Sequence, residues 1–420
     1  MKAQMRKRSL TVLMVGVGLT LAACSSSSSG STSTLPKGTP SFYQVPSDAL
    51  SKPIGSLVKS ERVTIPGVNG TTYRVMYVST GIGSKAAVVT GLLVTPTGPA
   101  PSGGFPVVSW GHGTNGMAYQ CAPSMNPTDE NQLSIGIAPV NAMLAKGWAV
   151  AASDYQGEGT PPGLLPYLVG ELAAQNTIDI VRASHDVAGA HTSLNYIVWG
   201  HSEGGQTAMF AWHLGQTYGA KGGLKMLGVV AGAPPSQFKY IYASLQTSPY
   251  RFYLYMAAKG FNLYYGDKKA PLNEVLTPLG LSKQKVVSGG CFTYVENQLD
   301  QYSITQLVKA DPFTLPTWRP LLEANDPGNF TTAPSTPLLI IQGGADEQIP
   351  VASTALLANH LCTLPGANVA RWIYPGKNHT GVIPVSMNDM VSWMSQDAQG
   401  EAAPQVVPVG QSDVQVTHCG

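Results

Sequence analysis

The chain has 420 residues, of which 43% are hydrophobic and 11% are charged, with 25 Lys and Arg against 23 Asp and Glu. This hydrophobic content and seven Trp exclude a disordered chain, and 46 Gly with 32 Pro are too diffuse for a collagen-like repeat. Four basic residues lie between Lys2 and Arg8, and no dense basic stripe occurs elsewhere, which argues against a nucleic-acid partner. The length suits one large α/β domain with an insertion, or two ordinary domains.

Residues 1–23 have the pattern of a signal peptide: a basic segment, then an apolar run that is too short to span a bilayer. The run ends in Leu-Ala-Ala-Cys24, which resembles the lipobox of bacterial lipoproteins and implies cleavage before Cys24 and lipidation of its thiol. Residues 24–40 are rich in Ser and Thr, as is typical of a flexible tether. We therefore predict an exported protein, held at a membrane of the cell envelope by its N-terminal lipid. The alternative is an ordinary secreted protein.

Four further cysteines are Cys121, Cys291, Cys362 and Cys419. An even number in an exported chain predicts two disulfides, and the sequence leaves all three connectivities open. Free buried thiols are the alternative. Because no Cys-x-x-Cys and no zinc-like Cys/His spacing occurs, we expect no metal site.

Hydrophobic patterning predicts the order of the secondary structure. Runs at 62–65, 72–79 and 86–95 favour an antiparallel opening to a sheet. Short apolar strands then alternate with helical segments. The strands are predicted at 105–110, 148–153, 194–199, 227–231, 338–341 and 370–374, and the helices at 176–187, 203–216 and 352–361. This alternation predicts an α/β fold, with a mostly parallel sheet covered by helices on both faces.

One segment interrupts the alternation. Residues 237–334 show no buried-strand pattern, and ten aromatic residues lie between Phe238 and Tyr265. We predict a cap inserted into a catalytic domain of residues 55–236 and 335–400, followed by a polar tail at 401–420. Tyr250, Tyr253 and Phe261 are candidate substrate-pocket residues. The alternative is that these rings form only the core of a small helical subdomain.

The segment Gly200-His-Ser202-Glu-Gly204 matches Gly-x-Ser-x-Gly. A nucleophilic serine must project from a sharp turn between strand and helix, and Gly200 and Gly204 let the two elements approach closely. A predicted strand precedes the motif and a predicted helix follows it. We therefore predict that Ser202 is a nucleophile.

A serine nucleophile needs a base and an orienting acid, expected in the chain order Ser, Asp or Glu, His. His379 follows a predicted strand in a loop, whereas His213, His360 and His418 lie in helices or in the tail. Asp346 follows the preceding strand and is the predicted acid, with Glu347 as its rival. The loop His112–Gly113 and the first residue of the following helix, Glu203, are the predicted sources of oxyanion-binding backbone N–H groups.

These motifs together resemble the secretory lipase family of α/β-hydrolases. The resemblance is carried by Trp-Gly-His-Gly-Thr at 110–114, Cys-Ala-Pro-Ser at 121–124, Asp-Tyr-Gln-Gly at 154–157, Gly-His-Ser-Glu-Gly-Gly at 200–205, and Gly-Gly-Ala-Asp at 343–346 with His379. It implies an α/β-hydrolase fold with a helical cap inserted late in the sheet, over an acyl-binding tunnel. It also implies carboxylic-ester hydrolysis by Ser202, Asp346 and His379, and the disulfide pairs Cys121–Cys291 and Cys362–Cys419.

The sequence therefore predicts a serine esterase or lipase that acts on a small ester or an acylglycerol through an acyl-enzyme, without a cofactor. Acyl transfer or peptide cleavage by the same triad is an alternative, since the fold does not fix the acceptor. A catalytically silent lipid-binding lipoprotein is a second alternative.

Overall fold

The computed structural model describes residues 39–126, 136–399, 408 and 413–420. A sheet of ten strands in the order β1-β2-β3-β5-β4-β6-β7-β8-β9-β10 organises these residues. The strands are β1 Leu57–Val63, β2 Gly70–Thr80, β3 Ala86–Pro96, β4 Phe105–Gly111, β5 Ala149–Ser153, β6 Thr192–His201, β7 Lys225–Gly232, β8 Leu338–Gly343, β9 Val369–Tyr374 and β10 Gln415–Cys419.

Strand direction divides the sheet into three parts. The opening β1, β2 and β3 are antiparallel, and β3 also pairs antiparallel with β5. From β5 to β9 every neighbouring pair is parallel. β10 pairs antiparallel with β9 and closes the far edge. The mostly parallel α/β sheet is thus confirmed.

Helices cover both faces of the sheet. In chain order, the α-helices of the described residues are α1 Ile137–Ala145, α2 Gly170–His185, α3 Glu203–Leu214, α4 Phe238–Leu245, α5 Phe252–Tyr265, α6 Leu272–Val275, α7 Pro278–Ser282, α8 Val286–Gly289, α9 Phe292–Leu299, α10 Ile304–Leu307, α11 Arg319–Ala324, α12 Val351–Leu361 and α13 Val382–Gln399. The buried side chains of α2, α3 and α12 join one face in a single core. Those of α1 and α13 join the other face in a second core.

The segment between β7 and β8, called here the helical insertion (residues 237–334), contains helices α4 to α11 and no strand. Its aromatic and aliphatic side chains form a third core, which includes Phe252, Tyr255 and Phe261. Tyr167, from the loop before α2, packs into the same core. The insertion is therefore built on hydrophobic contacts of its own.

The structure contains two disulfides, Cys121–Cys291 and Cys362–Cys419. These are the pairs that the family resemblance implies. The first joins the loop after β4 to the start of α9 in the helical insertion. The second joins the end of α12 to β10.

Several observed elements differ from the sequence prediction. β1 begins at Leu57 and ends at Val63, instead of spanning 62–65, because it is an edge strand with a largely polar, exposed pattern. Helix α2 begins at Gly170, well before the predicted start at residue 176. The tail at 401–420 contains β10, which its polar sequence does not suggest. The predicted signal peptide and Cys24 lie outside the described residues, as does the tether up to residue 38. Among the helices in the described ranges, none has the length and apolar character needed to cross a membrane.

Candidate active site

Ser202 lies at the turn where β6 ends and α3 begins. Its backbone has φ 61° and ψ −124°, a positive-φ conformation that a non-glycine residue adopts only under strain. Its backbone N–H donates to the carbonyl of Gly232 on β7, and its own carbonyl accepts from Gln206 within α3. The strained turn is thus held between the sheet and the helix, with Ser202 partly exposed.

The glycines on either side of Ser202 explain why the turn can form. A Cβ at Gly200 would overlap the carbonyl of Gly204, and a Cβ at Gly204 would overlap the carbonyl of Gly111 at the end of β4. Both overlaps are with backbone atoms, which cannot move aside. The Gly-x-Ser-x-Gly spacing is therefore a packing requirement between β4, β6 and α3.

His379 and Asp346 meet at the carboxyl ends of β8 and β9. The His379 Nδ1 atom is 2.9 Å from Asp346 Oδ2 and 3.0 Å from Oδ1. The Asp346 carboxylate also accepts the backbone N–H groups of Gln348 and Ile349. Burial alone would raise the pKa of Asp346, but the His379 contact and these N–H groups outweigh it and lower the pKa below its ordinary value. The carboxyl group therefore stays ionised beside the imidazole.

The rival acid, Glu347, contacts His379 differently. Its Oε2 accepts the backbone N–H of His379 at 3.1 Å, and its Oε1 accepts the Tyr250 hydroxyl at 3.4 Å. Glu347 thus supports the loop, whereas Asp346 contacts the ring. The opposite ring nitrogen, His379 Nε2, is buried and has no hydrogen-bond partner among the described residues.

A second imidazole, which the sequence analysis did not single out, packs against His379. The rings of His201 and His379 are 4.6 Å apart, and burial lowers the pKa of His201 to about 3. His201 is therefore uncharged. The other histidines lie elsewhere: His213 stacks on Phe330, His360 contacts the Phe330 carbonyl, and His418 is in β10.

The loop after β4 passes beside Ser202. A Cβ at Gly113 would lie 3.3 Å from the His201 carbonyl and 3.6 Å from Ser202 Cβ. The N–H of Glu203 is at the first position of α3, where the helix itself supplies no acceptor. The His112 side chain points away from the cleft into the protein, where its ring packs on Tyr155 and burial lowers its pKa to about 4.

Two cavities adjoin this region. A cleft of about 950 Å³, including its open mouth, is lined by Ser202, His379, Gly113, Thr114 and Phe292 among others. A second cavity, of about 700 Å³ when the space open to solvent is included, lies at the helical insertion and is lined almost entirely by apolar side chains. Tyr253 lines both, so it lies between them.

The three predicted pocket residues occupy different places. Tyr253 separates the two cavities and donates its hydroxyl to Gln348 at 2.9 Å. Phe261 is fully buried and lines the apolar cavity. Tyr250 stacks on Tyr253 and lines neither cavity. In the described part of the chain, no group of three or more His, Cys, Asp or Glu could hold a metal ion.

Comparisons with known proteins agree with this architecture. The model of the secretory lipase family matches residues 126–405. A secreted triacylglycerol lipase of Malassezia globosa is 23% identical over 383 residues, which cover 86% of this chain and 81% of that lipase. Lipase A of Candida antarctica, in its closed state, has a TM-score of 0.75 at 18% identity, covering 88% of this chain and 87% of its own. The rice cell wall degrading esterase LipA of Xanthomonas oryzae has a TM-score of 0.66 at 18% identity, covering 83% of this chain and 97% of its own.

The sheet, its helical layers and these structural neighbours define the α/β-hydrolase fold. Because the family model matches more than half of the sequence, the chain belongs to the secretory lipase family. It is accordingly a serine hydrolase of carboxylic esters, and its membership of a secretory family supports export.

Proposed function

We propose that the chain hydrolyses acylglycerols and related esters with Ser202 as nucleophile, His379 as general base and Asp346 as the orienting acid. The observation that carries this proposal is the shared cleft of Ser202 and His379, combined with the pairing of His379 Nδ1 to Asp346. Because Nδ1–H donates a hydrogen bond to the ionised Asp346 carboxylate, Nε2 is left as the basic nitrogen. That atom has no partner in the described structure, so it is free to accept the Ser202 proton.

The reaction then follows from these positions. Ser202 Oγ attacks the ester carbonyl while His379 Nε2 takes the hydroxyl proton. The N–H groups of Glu203 and of the His112–Gly113 loop donate to the resulting oxyanion. His379 returns the proton to the departing alcohol, and water, activated by the same nitrogen, hydrolyses the acyl-enzyme.

We further propose that the helical insertion acts as the cap and accommodates the acyl chain. The apolar cavity of the insertion adjoins the Ser202 cleft at Tyr253. Because its lining is almost entirely apolar, an acyl chain can enter it without leaving polar groups of the protein unpaired. Each methylene buried there would contribute about 0.8 kcal/mol, which favours medium and long acyl chains over acetate.

The test is the Ser202→Ala variant, assayed on p-nitrophenyl esters and on triacylglycerol with release of fatty acid as the readout. We expect kcat/KM to fall by roughly 10⁴-fold or more, and labelling by a fluorophosphonate probe to disappear. Ser84→Ala is the matched control, because Ser84 also has a positive φ, of 59°, but is exposed and outside the cleft. Wild-type activity in Ser202→Ala would disprove the assignment.

We propose, finally, that Cys24 anchors the enzyme to a membrane. The support is the sequence pattern of the leader, in which a basic segment and an apolar segment precede Cys24. A lipid attached to this cysteine would hold the protein at the membrane without a transmembrane helix. Mass spectrometry of the mature N-terminus tests the modification. We expect Cys24→Ala to move the enzyme from the membrane fraction to the soluble fraction with unchanged kcat. Retention of that variant on the membrane would contradict the proposal.

A further inference from the structure

Two buried acidic side chains lie beside the turn that holds Ser202, and the reaction described above uses neither carboxyl group. Glu203 is 3% exposed and Glu158 is fully buried. Glu203 Oε2 and both carboxyl oxygens of Glu158 have no hydrogen-bond partner among the described residues. An ionised carboxylate in such surroundings would lose its hydration without replacement, which strongly disfavours the charged form.

The groups around Glu203 offer no compensating positive charge. The Thr114 hydroxyl lies within hydrogen-bonding reach of its carboxyl group and also pairs with the Tyr167 hydroxyl at 2.8 Å. The titratable side chains that face Glu203 are acids and phenols: Glu158, Tyr155, Tyr167 and Tyr253. Within the described ranges, no Lys or Arg forms an ion pair with Glu203 or Glu158.

The one basic group near Glu158 in the described structure is the His112 imidazole, with Nε2 3.5 Å from Glu158 Oε2. Burial lowers the pKa of His112, so the imidazole is neutral and supplies no charge. Burial likewise raises the pKa of Glu203 to about 8, and burial together with Glu203 raises that of Glu158 well above its ordinary value. Both carboxyl groups are therefore protonated at neutral pH.

Glu203 lies close to the reaction in two ways. Its backbone N–H is one proposed oxyanion donor, and its carboxyl group contacts Thr114, which lines the cleft next to Gly113. A negative charge on this carboxyl would repel the oxyanion across a poorly hydrated region. Because Coulomb repulsion is weakly screened where water is excluded, we expect this charge to lower the rate by roughly tenfold or more.

We propose that Glu203 is a positioning residue that works as an uncharged carboxylic acid, holding Thr114 beside the oxyanion site, and that its ionisation at alkaline pH inactivates the enzyme. The inference rests on the function proposed above. The proton leaves for solvent, and no other bond changes. Activity is then present while Glu203 is protonated and falls as the pH rises through its raised pKa, about 8.

The experiment measures kcat against pH, from about pH 6 to pH 9.5, for the wild type, Glu203→Gln and Glu158→Gln. Glutamine has the shape of a protonated glutamic acid and cannot ionise. We expect a reversible alkaline loss in the wild type, with a midpoint near the raised pKa of about 8, and no such loss in Glu203→Gln, each profile being scaled to its own maximum. Glu158→Gln removes the neighbouring buried acid and should keep the loss.

Controls separate this inference from simpler explanations. Circular dichroism at each pH tests whether the alkaline loss of activity is caused by unfolding. Ser202→Ala supplies the background rate of ester hydrolysis. Glu323→Gln changes an exposed acid of α11 and should leave the profile as in the wild type. Infrared difference spectra across the same pH range provide a second readout: the wild type should lose a protonated carboxyl band near the raised pKa, and this loss should be missing in Glu203→Gln.

Three results would overturn the inference: no alkaline loss in the wild type, the same loss in Glu203→Gln, or disappearance of the loss in Glu158→Gln instead. If Glu203→Gln does not fold, the protonated carboxyl band in the infrared spectrum of the wild type is the deciding measurement. The inference is overturned if this band does not change with pH. Failure of the proposed function looks different, because Ser202→Ala would then retain activity at every pH.

Discussion

The carboxyl edge of the parallel sheet and the helical insertion use opposite means to shape one active site. At the sheet edge, backbone contacts dominate: Ser202 is strained, and Gly200 and Gly204 have no room for a side chain. In the insertion, packed side chains line an apolar cavity. In the function proposed above, reaction geometry therefore depends on backbone positions that tolerate little change, whereas selection of the acyl chain depends on side chains that can be exchanged. The predictions below test this contrast.

The largest effect is expected for Asp346→Asn. The fold should persist, but the amide can present its N–H₂ group to His379 Nδ1 and favour the wrong tautomer, so we expect kcat to fall by roughly 10⁴-fold. Glu347→Gln is the matched control. Glu347 contacts the backbone of His379 and not its ring, so this variant should lower kcat far less. Comparable losses in the two variants would show that the acid was misassigned.

The next effect concerns the packing of the turn. Helix propensity favours alanine over glycine by about 1 kcal/mol, so Gly204→Ala would stabilise an isolated helix. Here its Cβ would overlap the Gly111 carbonyl, and displacement of Ser202 should lower kcat/KM by about 100-fold or more. Gly83→Ala is the control: the residue is exposed with open space around it, and its positive φ of 69° adds backbone strain at a position outside the cleft. Full activity in Gly204→Ala would show that the backbone at the sheet edge is adaptable.

A smaller change is expected in the insertion. Tyr253→Ala should remove the ring that narrows the passage from the cleft to the apolar cavity, so the preferred acyl length should increase. We expect kcat/KM to rise roughly fourfold for each methylene newly buried. Tyr253→Phe keeps the ring and removes only the hydrogen bond to Gln348. The readout is kcat/KM from acetate to palmitate esters. An unchanged profile in Tyr253→Ala would mean that the acyl chain does not enter this cavity.

The smallest effect on activity is expected for the disulfide at the sheet edge. Replacing Cys362 and Cys419 by Ser should lower the free energy of unfolding by about 2–4 kcal/mol with kcat near that of the wild type. Replacing Cys121 and Cys291 should lower kcat as well, because that bridge holds the loop beside Ser202. Thermal denaturation and kcat, measured on both double variants, check the difference. Equal loss of kcat in the two double variants would contradict the expectation that only the Cys121–Cys291 disulfide affects activity.

Local patterns in the sequence carried the prediction of the sheet and of the positions of Ser202, Asp346 and His379. Buried strands followed by loops and helices have a clear periodicity, and a glycine-flanked serine has a clear physical requirement. The family resemblance added the disulfide pairs, which the spacing of the cysteines leaves open. The α/β-hydrolase fold and ester hydrolysis are confirmed by the comparisons.

Other features depend on contacts between distant segments and have no local signal. Glu158 and Glu203 resemble ordinary solvent-exposed acids in the sequence, and they become buried only when the loops after β4 and β5 pack on α3. The contact between His201 and His379 joins two parts of the chain that are far apart in sequence, and it requires the folded sheet. β10 has a polar edge-strand sequence, and its pairing with β9 is visible only in three dimensions.

The connectivity of the disulfides bears on how the chain acquires them during export. A chain that crosses a membrane from its N-terminus delivers its cysteines one after another, and here the first and second described cysteines pair, as do the third and fourth. An oxidase that joins each cysteine to the next one to emerge would make the native pairs directly, with no need for an isomerase to exchange them. Cys121 and Cys291 are separated by 170 positions in the sequence, so the Cys121 thiol stays unpaired until that length of chain has crossed the membrane. Production of this enzyme thus depends more on the timing of oxidation than on the correction of wrong pairs.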